Sequence, residues 1–234
     1  GASTGVSAGG GGPTCNGQPT TIECAKVLAS KQDAPTGIAV DASYIYWANE
    51  GHPPNSTIRK ASLQTGEIFT LATGQSSPLD IAVDSSNAYW SNTKNNGTIV
   101  RLSLLDGTSS TIATAQNGPR NLAVGPPGVY WTCGNGGSVL KAASDGGTPV
   151  VLAAGQAFPN GIALDSTSVY WTNFSSGEIM RTGVTGGPIE VLSVDEPGTS
   201  YLAVDKTSVY WTNVNTGFVR RAPISGGEST VIAK

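Results

Sequence analysis

Charge is scarce in this sequence. Charged residues are 12% of 234, about half of the roughly 25% usual in a soluble domain. Histidine and methionine occur once each and cysteine three times. Each shortage excludes something. Thirteen basic against 16 acidic residues leave a net charge of −3, which makes no electrostatic footprint for nucleic acid. A lone His52 rules out a histidine-cluster zinc site and leaves any histidine-based triad one residue to use. No apolar run approaches the 18 residues of a membrane span. Few Lys, Glu and Arg beside 31 glycines leave little to build helices from, since glycine costs a helix about 1 kcal/mol relative to alanine. Many short strands with many turns fit better.

Cys15 and Cys24 are close enough in sequence to close a small disulfide loop, with Cys133 left single. Their spacing matches no zinc or haem motif. A short Cys loop beside a Gly-rich leader suits an oxidising compartment, so an extracellular, cell-surface or periplasmic location is expected. Residues 1–20 form a Gly/Ser/Thr-rich segment without periodicity, expected to be a flexible tail that tethers the chain to a surface. The folded domain is expected over residues 21–234.

The rest of the chain repeats itself. All five tryptophans follow a tyrosine, at Trp47, Trp90, Trp131, Trp171 and Trp211, with steps of 43, 41, 40 and 40 residues. Each unit holds four short apolar stretches bounded by Gly, Asn, Asp, Ser or Pro. In one unit these are Gly161–Asp165, Val169–Asn173, Glu178–Arg181 and Pro188–Leu192. Four strands in about 40–45 residues is the blade signature of a β-propeller. The fold class is therefore all-β, a propeller of four-stranded antiparallel blades with five full repeats.

Repeated positions read as structure. Ala39, Ala82, Ala123, Ala163 and Ala203 share one place in the first strand, where small residues let converging blades approach. Asp41, Asp84, Asp165 and Asp205 end that strand as turn formers, with Gly125-Pro126-Pro127-Gly128 in their place in the third unit. The Tyr-Trp pairs are expected to fill the space between sheets. Asn49, Asn92, Asn173 and Asn213, with Cys133 breaking the series, read as caps or inter-blade bonds. Lys60, Arg101, Lys141, Arg181 and Arg221 recur in the third strand. They are expected to bond across to the neighbouring blade while their stems cover apolar surface.

Gly37-Ile38-Ala39-Val40-Asp41, Ile45-Tyr46-Trp47 and Ile58-Arg59-Lys60 resemble the YWTD-type propeller repeat of low-density lipoprotein receptors. The likeness covers residues 35–234, and Tyr170–Asn173 and Tyr210–Asn213 come close to its motif, with Asn for the last Asp. Bacterial surface and lipoprotein propellers behind Gly/Ser-rich leaders are also similar. The resemblance implies fold more than activity. YWTD-type propellers have six blades, whereas five repeats stand here. Lys26-Val27-Leu28-Ala29 matches the fourth-strand sequence Val150-Val151-Leu152-Ala153. Two arrangements follow: a five-bladed ring with a spare outer strand, or a six-bladed ring whose last blade is incomplete.

Residues that break the repeat on one face are the candidates for ligand binding. Asp80, Arg120, Asn121, Asn160 and Tyr201 do so where the chain enters the axial strands. No phosphate-binding loop, dinucleotide fingerprint or HExxH motif is present. His52 lies in a long loop, Glu50–Pro54, and reads as a surface residue. Asn55, Asn96 and Asn173 head glycosylation-type triplets. The expected role is a non-catalytic binding or scaffold module for a protein or carbohydrate partner at one face, without cofactor or metal. Two alternatives stand beside it. One is a metal-dependent lactonase or lyase-type propeller, although Asp80 is the only carboxylate among the axial candidates. The other is a lectin with one sugar site per blade.

Overall fold

The computed structural model describes residues 14–15, 18–19, 27–51, 56–94 and 96–234. All regular elements among them are strands. The chain divides into two units, residues 1–31 and 32–234. In the first, β1 (Thr14–Cys15) pairs antiparallel with β2 (Gln18–Pro19). Cys24, His52, Asn55 and the side chain of Cys15 lie outside the described residues, and so does the expected disulfide.

The second unit holds five four-stranded antiparallel sheets, each made of consecutive strands. Blade one is β3 (Pro35–Val40), β4 (Tyr44–Asn49), β5 (Thr57–Ser62) and β6 (Ile68–Thr73). Blade two is β7 (Pro78–Val83), β8 (Asn87–Asn92), β9 (Thr98–Ser103) and β10 (Ser109–Ala113). Blade three is β11 (Pro119–Gly125), β12 (Gly128–Cys133), β13 (Ser138–Ala142) and β14 (Val150–Ala153). Blade four is β15 (Pro159–Leu164), β16 (Ser168–Asn173), β17 (Glu178–Gly183) and β18 (Glu190–Val194). Blade five is β19 (Thr199–Val204), β20 (Ser208–Asn213), β21 (Phe218–Pro223) and β22 (Thr230–Ala233).

Local chemistry explains each hairpin. Asp165 Oδ1 accepts the backbone N–H of Thr167 at 2.7 Å and of Ser168 at 2.8 Å. Its Oδ2 accepts the Tyr170 hydroxyl at 2.6 Å. That carboxylate shapes the turn and anchors the buried tyrosine at once. Asp41, Asp84 and Asp205 repeat the arrangement. In blade three the Gly-Pro-Pro-Gly turn replaces it, and the Tyr130 hydroxyl donates to the Val184 carbonyl at 3.1 Å instead.

The Tyr-Trp pairs fill the seams between blades. In each of the four seams the tyrosine of one blade meets the tryptophan side of the next. Tyr46, Ala48 and Ile58 of blade one pack on Ile81, Trp90 and Leu102 of blade two. The same set recurs in the next three seams. A buried aromatic takes roughly 150–250 Å² out of water, an upper bound on the order of 4–6 kcal/mol per ring. The tryptophan indoles are also held: Nε1 of Trp47, Trp90, Trp131 and Trp171 donates to Gln32, Gln75, Gln116 and Gln156 respectively. Asp195 takes the glutamine's place for Trp211 and forms an ion pair with Arg220.

Four seams join the five blades. The innermost strands pack β3 on β7, β7 on β11, β11 on β15 and β15 on β19; β19 and β3 make no comparable contact. The exposures agree. Ile38 of blade one is 66% exposed, whereas its counterpart Ile81 is 3% exposed. The ring is open between blades five and one. Residues 27–30 belong to no strand, although Val27-Leu28-Ala29 repeats a fourth-strand sequence. A strand exists only in a ladder, and no described strand pairs with them.

Candidate functional site

All five axial strands carry the same irregularity. Pairing between the first and second strand of each blade shifts after the first residue, between Pro35 and Ile38, Pro78 and Ile81, Pro119 and Leu122, Pro159 and Ile162, and Thr199 and Leu202. Two residues per blade are thereby released from the ladder at the axis. A bulge of this kind re-aims side chains. The released pairs are Thr36-Gly37, Leu79-Asp80, Arg120-Asn121, Asn160-Gly161 and Ser200-Tyr201. They contain all five candidate residues.

A latch fixes the released backbone. In blades two, three and four the residue after the tryptophan donates its hydroxyl to the bulge carbonyl of the next blade: Ser91 to Arg120 at 2.6 Å, Thr132 to Asn160 at 2.6 Å and Thr172 to Ser200 at 2.7 Å. In blade one that residue is Ala48, and the Thr36 hydroxyl reaches the Pro78 carbonyl at 3.1 Å instead.

The candidates fall into two sets. Asp80, Asn121 and Tyr201 line an axial cavity of about 500 Å³, together with Gly37 and Gly161. Asp80 Oδ2 accepts the backbone N–H of Leu122 at 2.9 Å and the Asn121 side-chain amide at 3.4 Å, so it bridges blades two and three. Burial pushes its carboxyl up to about 6, against the pull of those donors. Gly37 is needed beside it, because a Cβ there would lie 2.7 Å from Asp80 Oδ1.

Arg120 and Asn160 form the second set. Arg120 Nε donates to Asn160 Oδ1 at 2.6 Å, and Asn160 Nδ2 donates to Ser200 Oγ at 3.1 Å. This chain runs through blades three, four and five. The guanidinium carbon of Arg120 lies 5.1 Å from the centre of the Phe158 ring, which meets Phe174 edge-on at 6.0 Å. Burial lowers the Arg120 pKa, and Tyr201 is the one group acting on it electrostatically in the other direction. Among the described residues Arg120 is in neither ion pair, and its two terminal amines have no acceptor. Tyr201 is 58% exposed.

The other repeated polar residues face the seams or the rim. Arg101, Lys141 and Arg181 donate to the carbonyls of Ser144, Val184 and Ile224 in the following blade. Lys60 instead lies over the Tyr44 ring at 4.2 Å, and Arg221 is exposed. The amide nitrogens of Asn49, Asn92, Asn173 and Asn213 bond the residue that holds the indole. Asn173 is thereby buried and cannot carry a glycan. Cys133 is a free, buried thiol, and burial raises its pKa to about 11. Among the described residues no group of three or more His, Cys, Asp or Glu is placed to hold a metal ion.

Sequence reasoning passed over Phe158, the glutamines and the hydroxyl latch. Phe158 had one signal. It holds a position that is Ala34, Ser77, Gly118 and Gly198 in the other blades, all at positive φ, and it is the one bulky residue there.

No family model and no curated protein matches the chain. Solved structures do. A chain from the crystal structure of a nidogen/laminin complex is 20% identical with a TM-score of 0.75, covering 93% of this chain and 87% of that one. A streptogramin B lyase structure is 19% identical with a TM-score of 0.73, covering 88% of this chain and 70% of that one. No helix among the described residues is long and apolar enough to cross a membrane. The chain has a β-propeller fold, with five four-stranded blades among the described residues.

Proposed function

We propose that the chain is a non-catalytic binding module, working outside the cell or at its surface, that receives a protein partner where the axial cavity opens. The observation that carries this is the Arg120 guanidinium, in neither ion pair of the described residues, over the Phe158 ring and beside the exposed Tyr201. Arg and Tyr are the residue types enriched where binding energy concentrates. Phe158 adds support. The backbone position has positive φ in every blade, but Ala34, Ser77, Gly118 and Gly198 hold it in the others, and Phe158 alone puts an aromatic ring there. The nidogen/laminin likeness agrees with a binding role.

The test is capture of a partner on the immobilised chain, repeated with Arg120→Gln, Phe158→Gly and Tyr201→Ala. Each variant should keep a cooperative unfolding transition and weaken capture at least roughly tenfold, the size of one lost charged hydrogen bond or anchor ring. Capture unchanged by all three would sink the proposal.

A second reading is a lyase-type propeller, favoured by one group: an Asp80 carboxyl that titrates near neutrality inside a cavity. It requires turnover that Asp80→Asn abolishes, which a binding module does not show.

A further inference from the structure

We propose that the axial cavity takes a primary ammonium group on a slim apolar stem, the side chain of a partner lysine, with Asp80 as its counter-ion. This narrows the binding-module reading and rests on it.

Asp80 is a carboxylate without a cation. Its Oδ2 is committed to Leu122 and Asn121. The Ile81 backbone N–H also acts on this carboxyl, and its Oδ1 adjoins Gly37, on the wall of the cavity. Neither ion pair of the described residues involves it. Arg120, the closest basic residue in the axial strands, turns away to Asn160 and Phe158. Asp80 is half-buried, and a carboxylate partly withdrawn from water without a counter-charge is costly, so an arriving cation offsets that cost.

The cavity also selects the cation. Ile38, Ile81, Leu122, Ile162 and Leu202 contribute to its wall, and Asp80 is its one charged residue. That suits an alkyl stem ending in one charge. Tyr201 lines the same cavity, and an aromatic face attracts an ammonium group. A metal ion fits poorly, since a hard cation asks for six or more oxygen ligands and no acidic cluster stands here.

The experiment is a ¹H–¹⁵N titration of the full chain at pH 7 with n-butylammonium chloride. n-Butanol and potassium chloride at equal ionic strength are the controls. Butylammonium should give saturable shifts at the Leu122 backbone amide and the Asn121 side-chain amide, which n-butanol does not. Asp80→Asn keeps an acceptor for Leu122 and should weaken the ammonium at least roughly tenfold, as for a hydrogen bond to a charged group. Shifts no larger than those from potassium chloride, or an Asp80→Asn titration matching the wild type, overturn the proposal. Where Asp80→Asn loses its dispersed spectrum, butylammonium against n-butanol on the wild type decides alone. If the ammonium site fails while Arg120→Gln still releases the captured partner, the lysine subsite falls and the binding module stands. If capture ignores Arg120, Phe158 and Tyr201 while butylammonium still binds through Asp80, the reverse holds.

Discussion

The four closed seams and the two open blade faces are built from the same residues and differ in what covers them. Tyr46, Tyr89, Tyr130 and Tyr170 are buried in seams, and Tyr210, which has no blade after it, is partly exposed. Ile58, Ile99, Val139 and Ile179 are wholly buried, and their counterpart Val219 is not. The hydroxyls of Ser91, Thr132 and Thr172 latch the next blade, whereas the Thr212 hydroxyl has no blade after it and accepts only the Tyr201 backbone N–H of its own sheet, at 3.3 Å. The repeat thus separates two contributions that most cores mix. Position within a blade sets a residue's conformation, and the neighbouring blade sets its stabilising effect. This is the behaviour of a quasi-one-dimensional repeat protein, where nearest-neighbour interfaces dominate.

The largest expected contrast is aromatic. Trp131→Ala, inside the seam of blades two and three, should cost about 3–5 kcal/mol. Tyr210→Ala, on the open face, should cost less than about 1 kcal/mol, as surface substitutions do. Urea unfolding of both variants measures this. Equal losses would mean that the open face is covered in solution.

The second contrast concerns the latch. Thr132→Val leaves the buried Asn160 carbonyl without its 2.6 Å donor, at about 1–3 kcal/mol. Thr212→Val should stay within about 0.5 kcal/mol. Thr132→Val should also disturb the Arg120–Asn160–Ser200 chain, since the same carbonyl fixes the bulge from which Asn160 projects. A shifted Arg120 Nε–H resonance would report it, and none is expected for Thr212→Val.

How much of this was legible depends on sequence separation. The forty-residue period carried the fold, because every blade needs the same seam filling and the same turns. Asp80, Arg120, Asn121, Asn160 and Tyr201 stood out by breaking the repeat. What each does was not legible. Asp80 bonds Leu122, 42 residues on, and Arg120 bonds Asn160, 40 residues on. Such pairs depend on the bulge and on the rotation between blades, which no local pattern encodes. Phe158 hid because it occupies a loop position where side-chain type varies and only the backbone conformation repeats. Val27-Leu28-Ala29 shows the opposite limit, a strand-like sequence without a ladder.

The third contrast is set by pH. Asp80 sits in a closed seam, and its folded pKa of about 6 lies above the ordinary 3.8. Between those values the folded state binds more protons than the unfolded one, so this group makes stability fall as pH rises from about 4 to 6. The turn carboxylates act the other way. Asp205 is held at about 2, first by the backbone N–H of Thr207. Its contribution is present above pH 4 and is lost as pH falls toward 2. The melting temperature should therefore peak near pH 4–5. Asp80→Asn should flatten the limb between pH 4 and 6 and leave the acid limb untouched. An unchanged neutral limb in that variant would place the titration elsewhere.

The smallest contrast tests the basic ladder. Lys141 Nζ donates to the Val184 carbonyl across a seam at 3.0 Å. That carbonyl also receives the Tyr130 hydroxyl at 3.1 Å, so removing the lysine does not orphan it. Lys141→Met, which keeps the apolar stem, should cost only about 0.5–1 kcal/mol. Arg221 holds the equivalent place on the open face, exposed and without a following blade. Arg221→Met should change nothing outside the error of a urea transition, where guanidinium salt would screen the effect. If instead Arg221→Met matched Lys141→Met, the ladder would act through its stems on its own sheet. The carbonyl bond across the seam would then carry no stability of its own.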